Sequence, residues 1–141
     1  MNGVEAELEQ LAEDFALLED PLEQLAYVRD LGRDLDFPEA ERTEANRLHG
    51  CSSAAWLTSG TTPDGRLAFR GTAEAIIPRG VVALLLKLYS GRTPDEVLSV
   101  SPQDAMARLG LSRMLSMNRI SGLAAMGARI EGAARAAHPI P

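Results

Sequence analysis

The first 35 positions alternate apolar and polar residues at helical spacing. Val4, Leu8, Leu11, Phe15 and Leu18 step by four, three, four and three, with Glu5, Glu9, Glu13 and Asp14 off the stripe, which predicts an amphipathic helix. Asp20-Pro21-Leu22-Glu23 reads as a second helix start. Asp caps, Pro occupies the first turn, and Glu three positions after the cap can reach back to a free amide. Leu22, Leu25, Val28, Leu31 and Leu35 then supply its apolar face, and Phe37-Pro38 should end it, because the residue before proline disfavours helix. Segment 39–46 is too polar and short to assign.

After Leu48 the period changes to two. Leu67, Phe69, Gly71 and Ala73 alternate with Arg66, Ala68, Arg70 and Thr72, a strand with one buried face. Asp64-Gly65 supplies a turn, since glycine tolerates positive φ. The expectation is an antiparallel hairpin with Trp56-Leu57-Thr58 in its first strand, and a third short strand before Cys51. Segment 78–89 is apolar nearly all round, as a central buried helix must be. Thr93-Pro94-Asp95-Glu96 and Ser101-Pro102-Gln103-Asp104 repeat the cap-proline-acid signal and start two short helices. Ser116 is the expected cap of a last helix whose stripe is Ile120, Leu123, Met126, Gly127 and Ile130, and the tail 136–141 should fray. Two helices, a hairpin and four further helices make an α+β domain: a small antiparallel sheet of about three strands packed against several helices.

Composition narrows the class. A chain of 141 residues, 45% hydrophobic and 24% charged, is one ordinary globular domain, 1–141, with its core at about 8–130. The longest uncharged apolar run, 80–86, is far short of the ~20 residues that span a bilayer. No signal peptide is visible, so the expected location is cytoplasmic and no membrane partner is expected. Residues 1–45 hold 14 Asp/Glu against three Arg, a balance of −11, and the remainder carries +5. That asymmetry is either a solvated helical surface or a charged docking face. One lysine, six aromatics and no basic run argue against a nucleic-acid partner.

Chemistry has one obvious bearer. Cys51 is the only cysteine, so it can form neither an internal disulfide nor a four-thiolate metal site. It reads either as a small buried hydrophobe or as a nucleophile. Gly50 permits a turn beside it, Ser52 and Ser53 are loop residues, and the positive charge of Arg47 and His49 would lower its pKa. A Cys-His hydrolase built from Cys51 and His49 would lack an orienting third group. Neither a metal-ligand spacing nor a phosphate-binding glycine motif occurs.

At this point four ordered motifs resemble one family. His49-Gly50-Cys51-Ser52-Ser53-Ala54-Ala55-Trp56-Leu57 is similar to the signature around the acceptor cysteine of the SufE family, the sulfur-accepting partners of cysteine desulfurases in iron–sulfur cluster assembly. Asp64-Gly65-Arg66-Leu67-Ala68-Phe69-Arg70-Gly71 resembles its second strand. Arg79-Gly80-Val81-Val82-Ala83-Leu84-Leu85 with Tyr89-Ser90-Gly91-Arg92-Thr93-Pro94 resembles its central helix and following cap. Leu115-Ser116-Met117-Asn118-Arg119-Ile120-Ser121-Gly122-Leu123-Ala124-Ala125-Met126 is similar to its C-terminal signature. The chain departs from the family pattern at Ser52, Ala54, Thr72-Ala73, Pro78 and Met117, around the cysteine loop, where departures bear on partner choice.

The resemblance implies a fold shared with the U-type (NifU-like) scaffold proteins, which carry further cysteines absent here. It implies persulfide transfer onto Cys51 from a SufS- or CsdA-like cysteine desulfurase, enhancement of that enzyme, and delivery to Fe–S scaffold proteins. The protein would be an accessory rather than an enzyme, and it would hold no cofactor, because the pyridoxal phosphate belongs to the desulfurase. Supporting roles would fall to His49, Gly50, Glu74 and Arg119. For Arg119 the resemblance leaves a site charge and a surface arginine both open, and for Glu74 a site acid and a solvated strand end. The alternatives are an adaptor that activates a desulfurase without carrying sulfur, and the Cys-dependent hydrolase.

Overall fold

The protein was examined as a computed structural model, which describes residues 2–51, 53–117 and 122–137. The first helix, α1 (Gly3–Ala16), is capped by the Asn2 side chain, which accepts from the Glu5 N–H at 2.9 Å, and its predicted stripe is buried from Val4 to Phe15. In α2 (Pro21–Leu31) the Asp20 carboxylate caps the Leu22 N–H. No reciprocal bond from Glu23 forms among the described residues. The helix ends at Leu31, not at Phe37-Pro38, and Leu22 is 73% exposed instead of buried. The exposure of Leu22 traces to how α2 meets α3 (Ile76–Tyr89). The two backbones touch at Gly80, where a Cβ would overlap the Val28 carbonyl oxygen, and at Gly32, where a Cβ would lie 2.8 Å from the Gly80 nitrogen. That close crossing buries Val28, and it leaves the first turn of α2 hanging beyond the contact.

α3 is the centre of the molecule. Val81, Val82, Leu84, Leu85, Leu88 and Tyr89 are at most 1% exposed, and α1, α2 and the sheet pack around them. Pro78 sits in its first turn, where the missing N–H has no helical partner to lose. The Tyr89 hydroxyl donates to the Val100 carbonyl at 2.6 Å, and burial holds its pKa well above the usual phenol range.

The sheet is one antiparallel hairpin, β1 (Ala55–Thr61) with β2 (Leu67–Ala73), in register from Ala55 opposite Ala73 to Thr61 opposite Leu67. The turn closes at Gly65, φ 82°, as the Asp-Gly pair predicts. Leu57, Leu67, Phe69 and Ala73 face the core. Trp56 is buried on the opposite face beneath the Arg42 guanidinium, 5.4 Å from the ring centroid. The third strand is absent among the described residues. Segment 39–46 forms two short 3-10 turns, Glu39–Glu41 and Glu44–Asn46, and only an isolated bridge from Arg47 to Trp56 follows. The left-handed turn at Gly50 then takes the chain away before a strand can grow.

The remaining helices are α4 (Pro94–Leu98), α5 (Pro102–Arg108), α6 (Ser112–Met117) and α7 (Leu123–Ala137). Thr93 and Glu96 close a full capping box on α4, and Ser101 caps α5. Ser116 does not cap the last helix. It lies inside α6, so five described helices follow the hairpin where four are expected. Met126, Gly127 and Ile130 bury the face of α7 as the stripe predicts, and the helix runs on through Ala136 and Ala137, where fraying is expected, whereas Ile120 and residues 138–141 lie outside the described residues. No described helix is long and apolar enough to cross a membrane.

Candidate functional site

Cys51 sits at the tip of a loop whose neck is tied. The Leu48 N–H donates to the Ala55 carbonyl at 2.9 Å, and Leu48 itself is 3% exposed, so both ends of segment 48–55 are anchored on β1. On the far side the Glu74 N–H donates to the Ala54 carbonyl at 2.9 Å. Arg79 clamps that corner, donating to the Ala73 and Glu74 carbonyls. Gly50, at φ 95°, makes a turn that a side chain would strain, and it faces the Ala125 methyl of α7, 3.7 Å from where its own Cβ would be. The loop tip therefore lies across the first turn of α7.

The sulfur rests on Gly122, immediately before α7. A Cβ there would overlap Sγ and lie 3.3 Å from the Cys51 Cβ and 3.4 Å from the Met126 Cε. Cys51 is half-buried and packs on the edge of the hydrophobic core. This corrects the electrostatic expectation. Burial pushes the Cys51 thiol up, and the Arg47 charge opposes it with a smaller effect. Standing two residues from Cys51 in the chain does not bring His49 to the thiol: its Nε2 lies 3.1 Å from a Glu44 carboxylate oxygen, in solvent. Among the described residues no hydrogen bond or ion pair joins His49 to the thiol, so the constellation a Cys-His hydrolase needs is not assembled.

The other expected residues divide. The Glu74 side chain is exposed, and it is the main chain of Glu74 that supports the loop. Arg119 lies outside the described residues. Two residues with a direct bearing on the loop escaped sequence reasoning. One is Gly122, present in the last motif but with no assigned role. The other is Arg129, which donates through Nη1 to the Leu57 carbonyl at 3.0 Å and through Nη2 to the Arg47 carbonyl at 3.2 Å. It thereby straps α7 to β1 and to the neck of the cysteine loop. Its only sequence signal is a lone cation among Ala125, Ala128, Gly132 and Ala133. Those small residues, with His49 and Ser59, line an open groove of about 570 Å³ beside the loop.

The described residues contain no cluster of three His, Cys, Asp or Glu able to hold a metal ion. What the geometry offers is a single half-buried thiol, its pKa raised by burial, on a loop tied at its neck and resting against the start of α7.

Comparison with known proteins agrees with this frame. The family model for SufE, an Fe–S metabolism associated domain, matches residues 9–134. An uncharacterised SufE-like protein of Rhizobium meliloti is 36% identical over 136 residues, covering 94% of this chain and 97% of its own. A second, from Rhizobium etli, is 37% identical over 134 residues, covering 92% and 90%. The solution structure of a hypothetical protein from Thermus thermophilus superposes with a TM-score of 0.75 at 22% identity, over 93% of this chain and 95% of that one, a likeness of fold. With a hairpin backed by a buried helix, a lone thiol on the loop before it, and a family match along most of its length, the chain belongs to the SufE family and so to iron–sulfur metabolism.

Proposed function

We propose that this protein accepts sulfur on Cys51 from the persulfide of a pyridoxal-phosphate-dependent cysteine desulfurase and passes it on for iron–sulfur cluster assembly. One observation carries the reading: the only cysteine of the chain stands at the tip of a loop tied at its neck, with its sulfur half-sheltered. A carrier needs a thiol that is quiet at rest and can be presented on demand.

In the transfer step the Cys51 thiolate attacks the outer sulfur of the partner's persulfide. A new S–S bond forms to Cys51, the bond between the partner's two sulfurs breaks, and the partner's cysteine leaves as a thiolate that can take up the proton Cys51 has lost. Persulfide moves from one protein to the other with no net oxidation. Such exchange follows thiolate fraction, nucleophilicity and access. The absence of a second cysteine means that no internal thiol can resolve the carried persulfide into a disulfide. Gly50 supplies the turn that presents the tip. Glu74 and Arg119 are proposed for the docking rim or for support of the loop, and His49 for the loop's polar outer side.

Mass spectrometry after incubation with a desulfurase and cysteine is the test. The protein should gain one or more sulfur atoms on Cys51, removable by reductant. Added mass elsewhere, or equal acceptance by Cys51→Ser, refutes the carrier. A Cys51→Ser protein that still stimulates the desulfurase would identify an adaptor instead.

A further inference from the structure

We propose that Gly122 is a positioning residue for the reactive sulfur, its missing side chain forming the seat in which the Cys51 thiol rests until a partner draws the loop away. The proposal deepens, and rests on, the reading of Cys51 as a sulfur acceptor. Three observations carry it. A Cβ at Gly122 would occupy the place of Sγ. The wall behind that place is firm, because Met126, whose Cε lies 3.4 Å from the same position, is 1% exposed and anchored in the core. The position of the sulfur is also set independently from the other side, since the neck at Leu48 and Ala55 and the left-handed Gly50 aim the tip at α7.

The other tight glycines serve other ends: Gly32, Gly71 and Gly80 admit neighbouring backbone, Gly3 faces the Arg92 side chain and Gly127 packs on Pro102. Among the described glycines Gly122 alone makes room for the thiol.

The consequence is chemical. A thiol in this seat is shielded on one side by the start of α7 and by Met126, and burial favours its neutral form. Lifting the sulfur off Gly122 returns it to water and toward an ordinary thiol pKa, so the thiolate is favoured more where the partner holds the loop than in the free protein. The seat thereby links reactivity to docking.

The test uses Gly122→Ala, Cys51→Ala and the double variant of the full chain, without any partner. Iodoacetamide alkylation and ultraviolet titration of the thiolate report the seat directly. Gly122→Ala should alkylate several-fold faster at neutral pH, with the thiolate midpoint lowered toward that of an exposed thiol, because a lower thiol pKa means a larger thiolate fraction. Thermal unfolding separates displaced sulfur from strained backbone. Gly122→Ala should lower the midpoint when Cys51 is present and much less in the Cys51→Ala background, where no sulfur is displaced. Unchanged alkylation and titration, or an equal loss of stability or folding in both backgrounds, overturns the proposal. Failure of the carrier reading looks different: wild-type protein would gain no sulfur from a desulfurase while the seat behaved as stated.

Discussion

Arg129 offers the sharpest measurement of how the cysteine loop is held. Arg129→Met keeps the length and apolar stem of the side chain and removes two charged donors. The bond to the Leu57 carbonyl is partly buried, and the bond to the Arg47 carbonyl is exposed. A hydrogen bond to a charged group contributes roughly 1.5–3 kcal/mol when its partner cannot find water, and less where water replaces it. The expected loss is therefore about 2–3 kcal/mol, most of it at Leu57. For a chain of this size that corresponds to roughly 5–10 °C in unfolding midpoint. Arg129→Lys can satisfy one carbonyl at most and should fall between. The control is Arg135→Met on the same helix, which breaks only the exposed pair to Glu131 and should cost about 0.5 kcal/mol or less. Thermal unfolding gives the magnitudes. Amide hydrogen exchange at Leu48, whose N–H closes the neck, should accelerate in Arg129→Met and not in the control. If Arg129→Met and Arg135→Met unfold within about 0.5 kcal/mol of each other, the strap contributes nothing and the argument fails.

Three further outcomes follow from the same structure. Gly80→Ala drives a methyl into the Val28 carbonyl oxygen, backbone against helix, and should destabilise by about 1–3 kcal/mol in denaturant despite alanine's better helix propensity, so a neutral result would mean the crossing is loose. Tyr89→Phe removes the buried bond to the Val100 carbonyl and should cost about 1–2 kcal/mol with an unchanged denaturant slope. For Cys51 the folded pKa lies above the unfolded one, so the neutral thiol adds stability that is complete below the unfolded pKa and is lost as pH rises through the folded value. Stability should therefore fall on the alkaline side of the ordinary thiol pKa in the wild type, with a shallower fall in Cys51→Ala, and equal alkaline slopes would contradict the burial of the thiol.

What the sequence determined by itself was most of the local structure. The helical stripe of α1, the Asp20-Pro21 start of α2, the period-two strand with its Asp64-Gly65 turn, the mostly apolar α3 and the capped starts at Thr93 and Ser101 appear where the pattern places them, because caps, turns and periodicity act over a few residues. The cysteine and its loop were legible for the same reason, together with the family motifs around them. What the tertiary structure decided depends on segments far apart in the chain. The α2–α3 crossing at Gly32 and Gly80 strands Leu22 in solvent, and the early turn at Gly50 reduces the third strand to a bridge. Ser116 falls inside α6 rather than at a cap. Arg129 reaches its two carbonyls across 72 and 82 positions. Most of all, the state of the thiol reverses. Neighbours in sequence suggest a lowered pKa, but His49 turns outward to Glu44 and the sulfur settles against Gly122 and Met126. Desolvation depends on what packs around an atom in three dimensions, and no spacing along the chain encodes it.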